Sequence, residues 1–585
     1  MRAKRWNLWP ACPADHFARF PHLHRLLVQI LYNRGVTAPD DVEAFLTGRL
    51  RFDNPFKMRG IAEAVTRLRR AIDRQETIAV YGDFDADGVT ATVLLVETLD
   101  ALGGKVRAYI PNRVDEGYGL NCEALERLHA SGATLVVTVD CGVRSLDEVA
   151  FANRLGMDVI VTDHHNVGRR LPAARAVINP RQDGCGYPFK DLAGVGVAFR
   201  LAQALLRARQ NYDHAPVDLA EGDLYDLVAL GTVADVVPLL GENRDLVQRG
   251  LASLRHPRRP GLVAMLEASK LQAGRVDATS IGFVLGPRLN AAGRLATADI
   301  SYELLTNRDQ ARAAALAQQL ELLNRQRQDE TLALVNLVKE KIAQLGSERH
   351  LYLAADKGYH RGIVGLAAGR VAEELYRPVA VAEIAGDRVI GSARSIPEFD
   401  ITAALDACKA ADDGMLIRYG GHAMAAGFTA PVDRLPELAD RLEALASDAL
   451  GGKELAPALD IDAEVGLDEL DYATQELLAQ LEPCGRANPQ PLLASRGLEV
   501  CECRLVGRDE QHLKLAVRDP RATGARRGQV WPAIAFRQGE WYGQLQGPGR
   551  VDLAFALEVD EFNGERRLQL NVKDIRLWSD APSGG

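Results

Sequence analysis

The sequence predicts an α/β protein in which two α/β domains are joined by a long helix and followed by a C-terminal β-barrel of the OB type. Short apolar strands alternate with helices from about residue 60 to 180 and again from about 347 to 452, a pattern typical of parallel sheets. Between them, residues 308–345 contain neither glycine nor proline and predict one helix. Such a helix would be roughly 57 Å long, so we expect it to connect two domains.

Length and composition are those of a multidomain globular protein. The 585 residues are 47% hydrophobic and 25% charged, and the net charge of −9 excludes a globally basic nucleic-acid-binding protein. A nucleic acid would have to be bound by local basic patches. We expect an N-terminal helical segment, a catalytic domain, a helical region, a second α/β domain and a barrel, at residues 1–55, 56–240, 241–346, 347–455 and 456–580.

The cysteines and the N-terminus indicate a soluble cytoplasmic protein, which we expect to be a monomer. The eight cysteines include no CxxC pair and no zinc-like spacing. Prolines 10 and 13 interrupt any hydrophobic core of a signal peptide after the basic N-terminus. No apolar run approaches the length that spans a membrane.

Three aspartates follow the first predicted strand, Thr77–Tyr81, and precede a helix predicted from residue 89 to 102. Asp83, Asp85 and Asp87 occupy every second position of this strand-to-helix turn. Each carries about one negative charge near neutral pH, and a cation would offset their repulsion. On its own, the turn is equally well explained as a solvated, glycine-containing turn with a capping aspartate.

Polar residues also follow the next strands, which are predicted at residues 106–110, 135–139 and 159–162, before a last strand at 176–178. The sequences at these strand ends are Pro111-Asn112-Arg113, Asp140-Cys141-Gly142 and Asp163-His164-His165. The carboxyl ends of parallel strands line one crevice, so these side chains should meet at one edge of the sheet. Asp235 ends a later apolar segment and has an N-cap or loop role as its alternative.

Glycine-rich segments in the second half of the chain are candidates for phosphate binding. Residues 286–294 predict a loop with glycines and arginines that suits an anion. Residues 420–427 place His422 between glycines, where we expect a helix start that cradles phosphate. A tight turn with a surface histidine is an equal alternative.

Five strands and one helix, residues 468–481, predict the OB-type barrel. The strands are expected at residues 498–506, 513–518, 530–536, 551–559 and 568–575. The basic loop from Arg518 to Arg527 could supply charge for single strands. Stacking could come from aromatic residues, although most of these should belong to the core: Trp531, Phe536, Trp541 and Phe562.

Together, the motifs resemble the DHH phosphoesterase superfamily and, within it, the bacterial exonucleases specific for single-stranded DNA. The motifs stand in family order between Asp83 and Gly427, and a barrel follows them. The resemblance implies a site for two divalent ions, Mn²⁺ or Mg²⁺, with Asp140 bridging them. The implied metal ligands, which are also the catalytic residues, are Asp85, Asp87, Asp140, His164 and Asp235. Asp83 and His165 are further ligands or groups that support the ligands.

The resemblance also implies a substrate, single-stranded DNA with a 5′ end, and roles in DNA repair and recombination. Nucleotides would be removed in the 5′ to 3′ direction as 5′-mononucleotides, in a cleft between the α/β domains that admits one strand. Because a guanidinium can pair two phosphate oxygens, we expect Arg113 and Arg394 to bind the terminal 5′-phosphate and His422 the scissile phosphate, although a structural ion pair is an equal alternative for each candidate arginine. The full set of candidate substrate-binding residues is Arg113, Arg288, Asn290, Arg294, Ser392, Arg394, Gly421 and His422. A single-strand binding protein and a helicase are candidate partners.

Other functions of the superfamily are less compatible with this sequence. Phosphodiesterases for short RNAs or cyclic dinucleotides resemble the two α/β domains without a barrel. Non-catalytic DNA-binding proteins of replication helicases have generally lost metal ligands, which this sequence retains. An inorganic pyrophosphatase would be a much shorter chain.

Overall fold

A computed structural model provides the fold and describes residues 4–48, 54–210, 217–346, 349–523, 526–547, 549–562 and 565–578. The chain forms two compact units, one made of residues 51–455 and one made of residues 1–50 together with 456–585. No helix within the described ranges is long and apolar enough to cross a membrane.

The secondary structure comprises helices and strands in both units. The strands are β1 (Arg5–Leu8), β2 (Thr77–Tyr81), β3 (Lys105–Tyr109), β4 (Ala133–Val139), β5 (Asp158–Thr162), β6 (Ala176–Ile178), β7 (Tyr352–Asp356), β8 (Val379–Ala385), β9 (Arg388–Arg394), β10 (Arg418–His422), β11 (Ala425–Pro431), β12 (Ala458–Ile461), β13 (Ala463–Glu464), β14 (Leu493–Val506), β15 (His512–Arg518), β16 (Val530–Ala535), β17 (Arg550–Phe562) and β18 (Glu565–Leu577). The helices are α1 (Ala14–Ala18), α2 (Arg25–Asn33), α3 (Pro39–Thr47), α4 (Ile61–Asp73), α5 (Ala86–Ala101), α6 (Cys122–Ala130), α7 (Leu146–Arg154), α8 (Gly194–Ala208), α9 (Tyr225–Ala234), α10 (Gly241–Leu254), α11 (Pro260–Ala268), α12 (Ala278–Ser280), α13 (Gly286–Leu295), α14 (Asp299–Thr306), α15 (Gln310–Leu345), α16 (Val364–Leu375), α17 (Ile401–Ala411), α18 (Leu435–Leu450) and α19 (Tyr472–Ala479).

The first sheet of the larger unit is parallel throughout, with strand order β3-β2-β4-β5-β6. Strand β2 is buried on both faces, as expected for a parallel sheet covered by helices. Ile78 and Val80 belong to the larger core, whereas Ala79 and Tyr81 belong to a smaller core on the other face. The five predicted strands of this sheet are confirmed.

Helix α15 has 36 residues and joins the two α/β domains of this unit. In its first half, Leu316 and Leu320 pack into the core of the first domain. In its second half, Leu334 and Val338 pack against the second domain. The predicted linking helix is therefore confirmed.

The second sheet is mixed, with strand order β10-β11-β9-β8-β7, and only the β7–β8 pair is parallel. The helix expected to begin at His422 is wrong, because His422 ends β10 and residues 425–431 form β11. A Cβ atom on Gly421 would collide with the backbone of Ala425 on the neighbouring strand. These glycines therefore serve close approach between two strands.

The loop expected at residues 286–294 is also wrong, because these residues form helix α13. It continues directly from a π-helical turn at Ile281–Leu285. A Cβ atom on Gly293 would lie 2.5 Å from the carbonyl oxygen of Phe84. The glycine thus allows α13 to pack against the turn that carries the aspartates.

The smaller unit contains a six-stranded sheet with order β13-β14-β15-β16-β18-β17, which a β14–β17 pairing closes into a barrel. The predicted OB-type barrel is confirmed. The predicted N-terminal helices correspond to α2 and α3. The N-terminal segment also contributes strand β1, which pairs with β12, and Trp6 Nε1 donates a 2.6 Å hydrogen bond to Asp574 Oδ2. Both ends of the chain therefore build this unit.

Candidate metal centre

The aspartate turn presents three carboxyl groups at the carboxyl end of β2. Asp85 caps α5, because its Oδ1 accepts hydrogen bonds from the backbone N–H groups of Asp87 and Gly88, both at 3.0 Å. Asp87 is buried and accepts hydrogen bonds at 2.7 and 2.8 Å from the first two N–H groups of α8. Asp83 is buried, and its Oδ1 has no hydrogen-bond partner among the described residues.

Asp140 follows β4 with a left-handed backbone, at a φ of 62°. Few residues other than glycine adopt this conformation, and such strain is found most often at functional sites. The side chain is buried, and its Oδ1 lacks a hydrogen-bond partner within the described ranges. A Cβ atom on Gly194 would lie only 2.5 Å from that oxygen, so the start of α8 closes over the carboxyl group.

The two histidines after β5 are held in place by Asp163. Its Oδ1 accepts hydrogen bonds from the backbone N–H groups of His164 at 2.7 Å and His165 at 3.0 Å, and lies 2.8 Å from His165 Nδ1. Its Oδ2 accepts a hydrogen bond from the N–H of Val143 at 2.9 Å. Burial alone would raise the pKa of Asp163, but its contacts with His165 lower it below the ordinary value. Asp163 was not among the predicted site residues, although its place at the head of the motif could have indicated this role.

His164 turns one ring nitrogen towards the carboxyl groups. His164 Nε2 lies 3.1 Å from Asp140 Oδ1 and 3.6 Å from Asp235 Oδ2. This nitrogen is buried and makes no hydrogen bond to any described residue. Burial, together with the charge of His165, lowers the pKa of His164 to about 3. The ring is therefore neutral near pH 7 and can ligate a metal.

Asp235 stands at the C-terminal end of α9 and not at an N-cap. The C-terminal end of a helix carries partial negative charge, which disfavours a carboxylate unless a cation is nearby. The next residue, Val236, has a φ of 58°, which is strained for a β-branched residue. Asp235 is thus held in an unfavourable place that a metal ion would stabilise.

The structure brings all seven predicted metal-site residues together. They form three groups, and within each group one ligand atom per residue lies within 4.8 Å of the others. The groups are Asp83–Asp85–Asp140, Asp87–His164–Asp235 and Asp140–His164–His165. Asp140 and His164 each belong to two groups. Carboxylate oxygens suit Mg²⁺ and Mn²⁺, and an imidazole shifts the preference towards Mn²⁺. Three buried donor atoms of this set have no hydrogen-bond partner among the residues that the structure describes, so these residues fit divalent ions.

Crowding and burial change the acidity of the carboxyl groups. Burial raises the pKa of Asp83 to about 8 and that of Asp87 to about 7, and the charge of Asp85 adds to both shifts. Burial and the neighbouring aspartates raise the pKa of Asp140 well above the ordinary value. Ionising all of these groups at neutral pH therefore requires a compensating cation.

Three of the predicted substrate-binding arginines lie close to each other. The Arg113 guanidinium stacks on the Phe84 ring at 3.8 Å, and Arg294 Nη1 donates a 3.1 Å hydrogen bond to the carbonyl of Gly362. Arg394 Nη1 donates a 2.7 Å hydrogen bond to Ser392 Oγ. Burial lowers the pKa of Arg294 to about 9, and the charges of Arg113, Arg327 and Arg394 contribute.

Other predicted substrate-binding residues have partners within the protein. Arg288 Nη2 forms a 2.7 Å ion pair with Glu321. Asn290 Oδ1 accepts a 2.7 Å hydrogen bond from the N–H of Ala86 and so fixes the start of α5. His422 is exposed at the end of β10, next to Gly421. Their assignment to substrate binding stays a prediction.

The barrel has a groove on its surface, and arginines of the predicted basic loop from Arg518 to Arg527 have acidic partners. In that loop, Arg518 pairs with Glu499 at 2.6 Å and Arg526 with Asp471 at 3.1 Å. Of the predicted aromatics, Trp531 is buried, Trp541 is half-buried, Phe536 is exposed, and the side chain of Phe562 lies outside the described residues. A groove of about 500 Å³ opens on the barrel, and residues lining it include Tyr472, Arg504, Lys514, Val530 and Arg567.

The parallel sheet with its acidic edge defines a phosphoesterase of the DHH class. Residues 77–232 match the DHH family, N-terminal domain, and residues 347–448 match the DHHA1 domain. Residues 461–574 match the RecJ OB domain. The match to the RecJ OB domain indicates one family, RecJ, within the DHH class.

Several similar proteins are named RecJ. The single-stranded-DNA-specific exonuclease RecJ of Dickeya dadantii is 39% identical over 570 residues, covering 95% of this chain and 96% of the relative. That of Escherichia coli is 37% identical over 576 residues, covering 96% and 97%. The crystal structure of RecJ in complex with Mn²⁺ from Thermus thermophilus superposes with a TM-score of 0.82 at 30% identity, covering 99% of this chain and 80% of that chain.

The chain belongs to the RecJ family of single-stranded-DNA-specific exonucleases. The family resemblance and the fold class predicted from the sequence are confirmed, and so is the predicted class of enzyme, a metal-dependent phosphodiester hydrolase. A second Thermus thermophilus RecJ structure, in complex with Mg²⁺, has a TM-score of 0.77 at 29% identity, covering 99% of this chain and 79% of that chain.

Proposed function

We propose that this chain removes 5′-mononucleotides from single-stranded DNA in the 5′ to 3′ direction, using two divalent ions, Mn²⁺ or Mg²⁺. The observation that carries the proposal is the set of three ligand groups that share Asp140 and His164. A carboxylate shared by two groups is what a bridged pair of ions requires. The relatives crystallised with Mn²⁺ and with Mg²⁺ support the choice of metal.

The residues of the acidic edge, which follow β2, β4 and β5 and end α9, have different roles in the reaction. When bound, two divalent ions supply an activated water and offset charge on the attacking and leaving oxygens of an in-line displacement. Asp140 is shared by the group with Asp83 and Asp85 and the group with the two histidines, and Asp87 and Asp235 form the third group with His164. Asp163 holds the ring of His165 and the backbone of His164, and a ligating imidazole needs such support to keep its orientation. This mechanism requires no serine or cysteine nucleophile.

Polarity would come from the arginines and not from the metal ligands, which can engage any phosphodiester. Arg113 and Arg394 are half-buried, and no described carboxylate lies within ion-pair distance of either. A guanidinium presents a planar fork that can bind two phosphate oxygens. In this proposal they bind the terminal 5′-phosphate, with Ser392 holding Arg394, while His422 contacts the scissile phosphate.

The barrel groove would bind the 3′ part of the strand. Lys514 and Arg567 bring positive charge to it, whereas Arg504 lies 3.5 Å from Glu502, which also lines the groove, and Tyr472 brings an aromatic ring. An enzyme limited to single strands depends on proteins that expose them, so we propose a helicase and a single-strand binding protein as partners of a cytoplasmic monomer.

A direct experiment follows the products released from a long single strand. With Mn²⁺, the chain should release 5′-mononucleotides from a 5′-phosphorylated oligonucleotide, and it should release none in EDTA. A duplex of the same sequence is the control and should resist. Rapid cleavage of linear or cyclic dinucleotides with no shortening of the long strand would instead favour a short-oligonucleotide phosphodiesterase.

A further inference from the structure

Helix α15 carries an arginine at the point where it passes from one α/β domain to the other. Its buried residues fall into two stretches, which end at Asn324 and begin again at Leu334. Arg327 lies between these stretches and is half-buried. The sequence did not single it out, because charged residues are ordinary on a long helix.

The contacts of Arg327 differ from those of two nearby arginines, Arg325 on the same helix and Arg288 on α13. Arg327 Nη2 donates a 2.8 Å hydrogen bond to the buried Asn324 Oδ1, while its buried Nε has no partner among the described residues. No carboxylate in the described part of the chain lies within ion-pair distance. By contrast, Arg325 and Arg288 both pair with Glu321, at 2.8 and 2.7 Å. Arg327 is therefore held in place without being neutralised.

Arg327 is one of three arginines whose charges act on Arg294, so that the cluster has four members, and α13, which carries Arg294, packs against α15. The charges of Arg113, Arg327 and Arg394 all act on Arg294, and Asp85 offsets them only in part. The four come from separate elements, namely the segment after β3, the end of α13, the middle of α15 and the end of β9. Burial lowers the pKa of Arg113, Arg327 and Arg394 as well.

Four half-buried arginines held together against their mutual repulsion indicate a ligand of high negative charge. A phosphomonoester carries about −1.5 to −2 charges near pH 7, whereas an internal phosphodiester carries about one. In a strand, only a phosphorylated end offers a monoester, and at the end from which the proposed 5′ to 3′ digestion starts this group is the 5′-phosphate. The cluster therefore suits the strand end better than any internal phosphate.

We propose that Arg327 is a fourth arginine of the site for the terminal 5′-phosphomonoester, so that the linking helix takes part in end recognition. The proposal rests on the exonuclease function proposed above. Asn324 acts as a positioning residue, because its amide oxygen fixes one edge of the Arg327 guanidinium.

The test compares two neighbouring arginines on one helix. Initial rates are measured with Mn²⁺ for the wild type, Arg327→Gln and Arg325→Gln on one oligonucleotide with a 5′-phosphate or a 5′-hydroxyl end. Arg327→Gln should lower kcat/KM about tenfold on the phosphorylated end, because charge-assisted hydrogen bonds are lost. It should change the hydroxyl end little. Arg325→Gln should change neither, and Arg327→Lys should be intermediate, because lysine keeps the charge but not the fork.

A second measurement separates this proposal from the proposed function. Fluorescence anisotropy in EDTA gives the affinity for both strand ends without turnover, and thermal melting checks that each variant is folded. A preference for the 5′-phosphate that falls in Arg327→Gln and persists in Arg325→Gln supports the proposal. Equal weakening at both ends, or no change, overturns it. A wild type that shows this preference but releases no nucleotides would contradict the exonuclease function and leave the role of Arg327 intact.

Discussion

The acidic edge of the parallel sheet and the basic loop of the barrel differ in whether their charged side chains have partners within the protein. At the edge, Asp83, Asp140 and His164 are buried with donor atoms that have no partner among the described residues. In the barrel, Arg518 and Arg526 lie at the surface and have acidic partners. The edge depends on a ligand for its charge balance, whereas these two arginines of the barrel loop are balanced by acidic residues of the same unit.

This difference predicts how each region should respond to substitution. A paired surface charge contributes only about 0 to 1 kcal/mol to stability, so its loss should be mild. An unpaired buried carboxyl group costs stability and is retained for what it binds. Variants at the edge should therefore lose activity without losing stability, and variants of the barrel loop should lose little of either.

The largest effect is expected for Asp140→Ala. Turnover on single-stranded DNA should fall by several orders of magnitude, because two of the three ligand groups lose the carboxylate that they share. In EDTA the melting temperature should stay the same or rise, since repulsion with Asp87 and Asp85 is relieved. Asp115→Ala, at an exposed acid in the segment after β3, is the control and should remain active. A folded Asp140→Ala protein with near-normal activity would contradict the edge as the metal site.

Asp163→Ala should have an intermediate effect, a loss of about 10- to 100-fold in activity. Without Asp163 Oδ1, both histidine backbones and the His165 ring lose their common acceptor. Mn²⁺ affinity, measured by calorimetry, should weaken in parallel with the activity. An activity loss with unchanged Mn²⁺ affinity would mean that Asp163 does not act through the metal ligands.

The stability of the metal-free protein should fall as the pH rises, and metal binding should offset this loss. Asp83 and Asp87 have folded pKa values of about 8 and 7, well above the ordinary 3.9, so they stabilise the metal-free fold when protonated. Their contribution is full below about pH 4 and is lost as pH rises through 7 and 8. The increase in melting temperature on adding Mg²⁺ should therefore be larger at pH 8 than at pH 6. A smaller increase at pH 8 would be inconsistent with these buried acids as ligands.

The smallest effects are expected in the barrel, where the groove and the loop can be separated. Lys514→Gln in the groove should weaken binding of a long single strand and lower the salt dependence by about 0.7 per lost phosphate contact. Arg518→Gln should change neither, because Glu499 already pairs with that guanidinium. Anisotropy titrations at several salt concentrations measure both. A stronger effect from Arg518 than from Lys514 would move the binding surface from the groove to the loop.

The acidic edge could be predicted from the sequence because its signals are local. Each strand is marked by an apolar run, and the side chains that follow parallel strands must meet at one edge. The sequence left the role of Asp83 open between a ligand and a supporting group. Its Oδ1 has no hydrogen-bond partner in the described part of the chain and lies beside Asp85 and Asp140, which favours a ligand.

The remaining errors come from features that depend on distant parts of the chain. Glycines in residues 286–294 and 420–427 indicated a loop and a helix start, but they serve close packing against the aspartate turn and between strands. Strand β1 was missed because its partner, β12, lies near the other end of the chain. The sequence around Arg327 does not indicate its role. Arg327 differs from Arg325 only in the folded structure, where Arg325 pairs with Glu321 and Arg327 belongs to the arginine cluster around Arg294.

The central claim is that Asp140 bridges two ions, and Mn²⁺ binding followed by electron paramagnetic resonance tests it most directly. The account predicts two Mn²⁺ per chain with the exchange-coupled spectrum of ions that share a ligand, and loss of that coupling in Asp140→Ala. A single bound ion in the wild type, or a coupled pair that survives in Asp140→Ala, would contradict it.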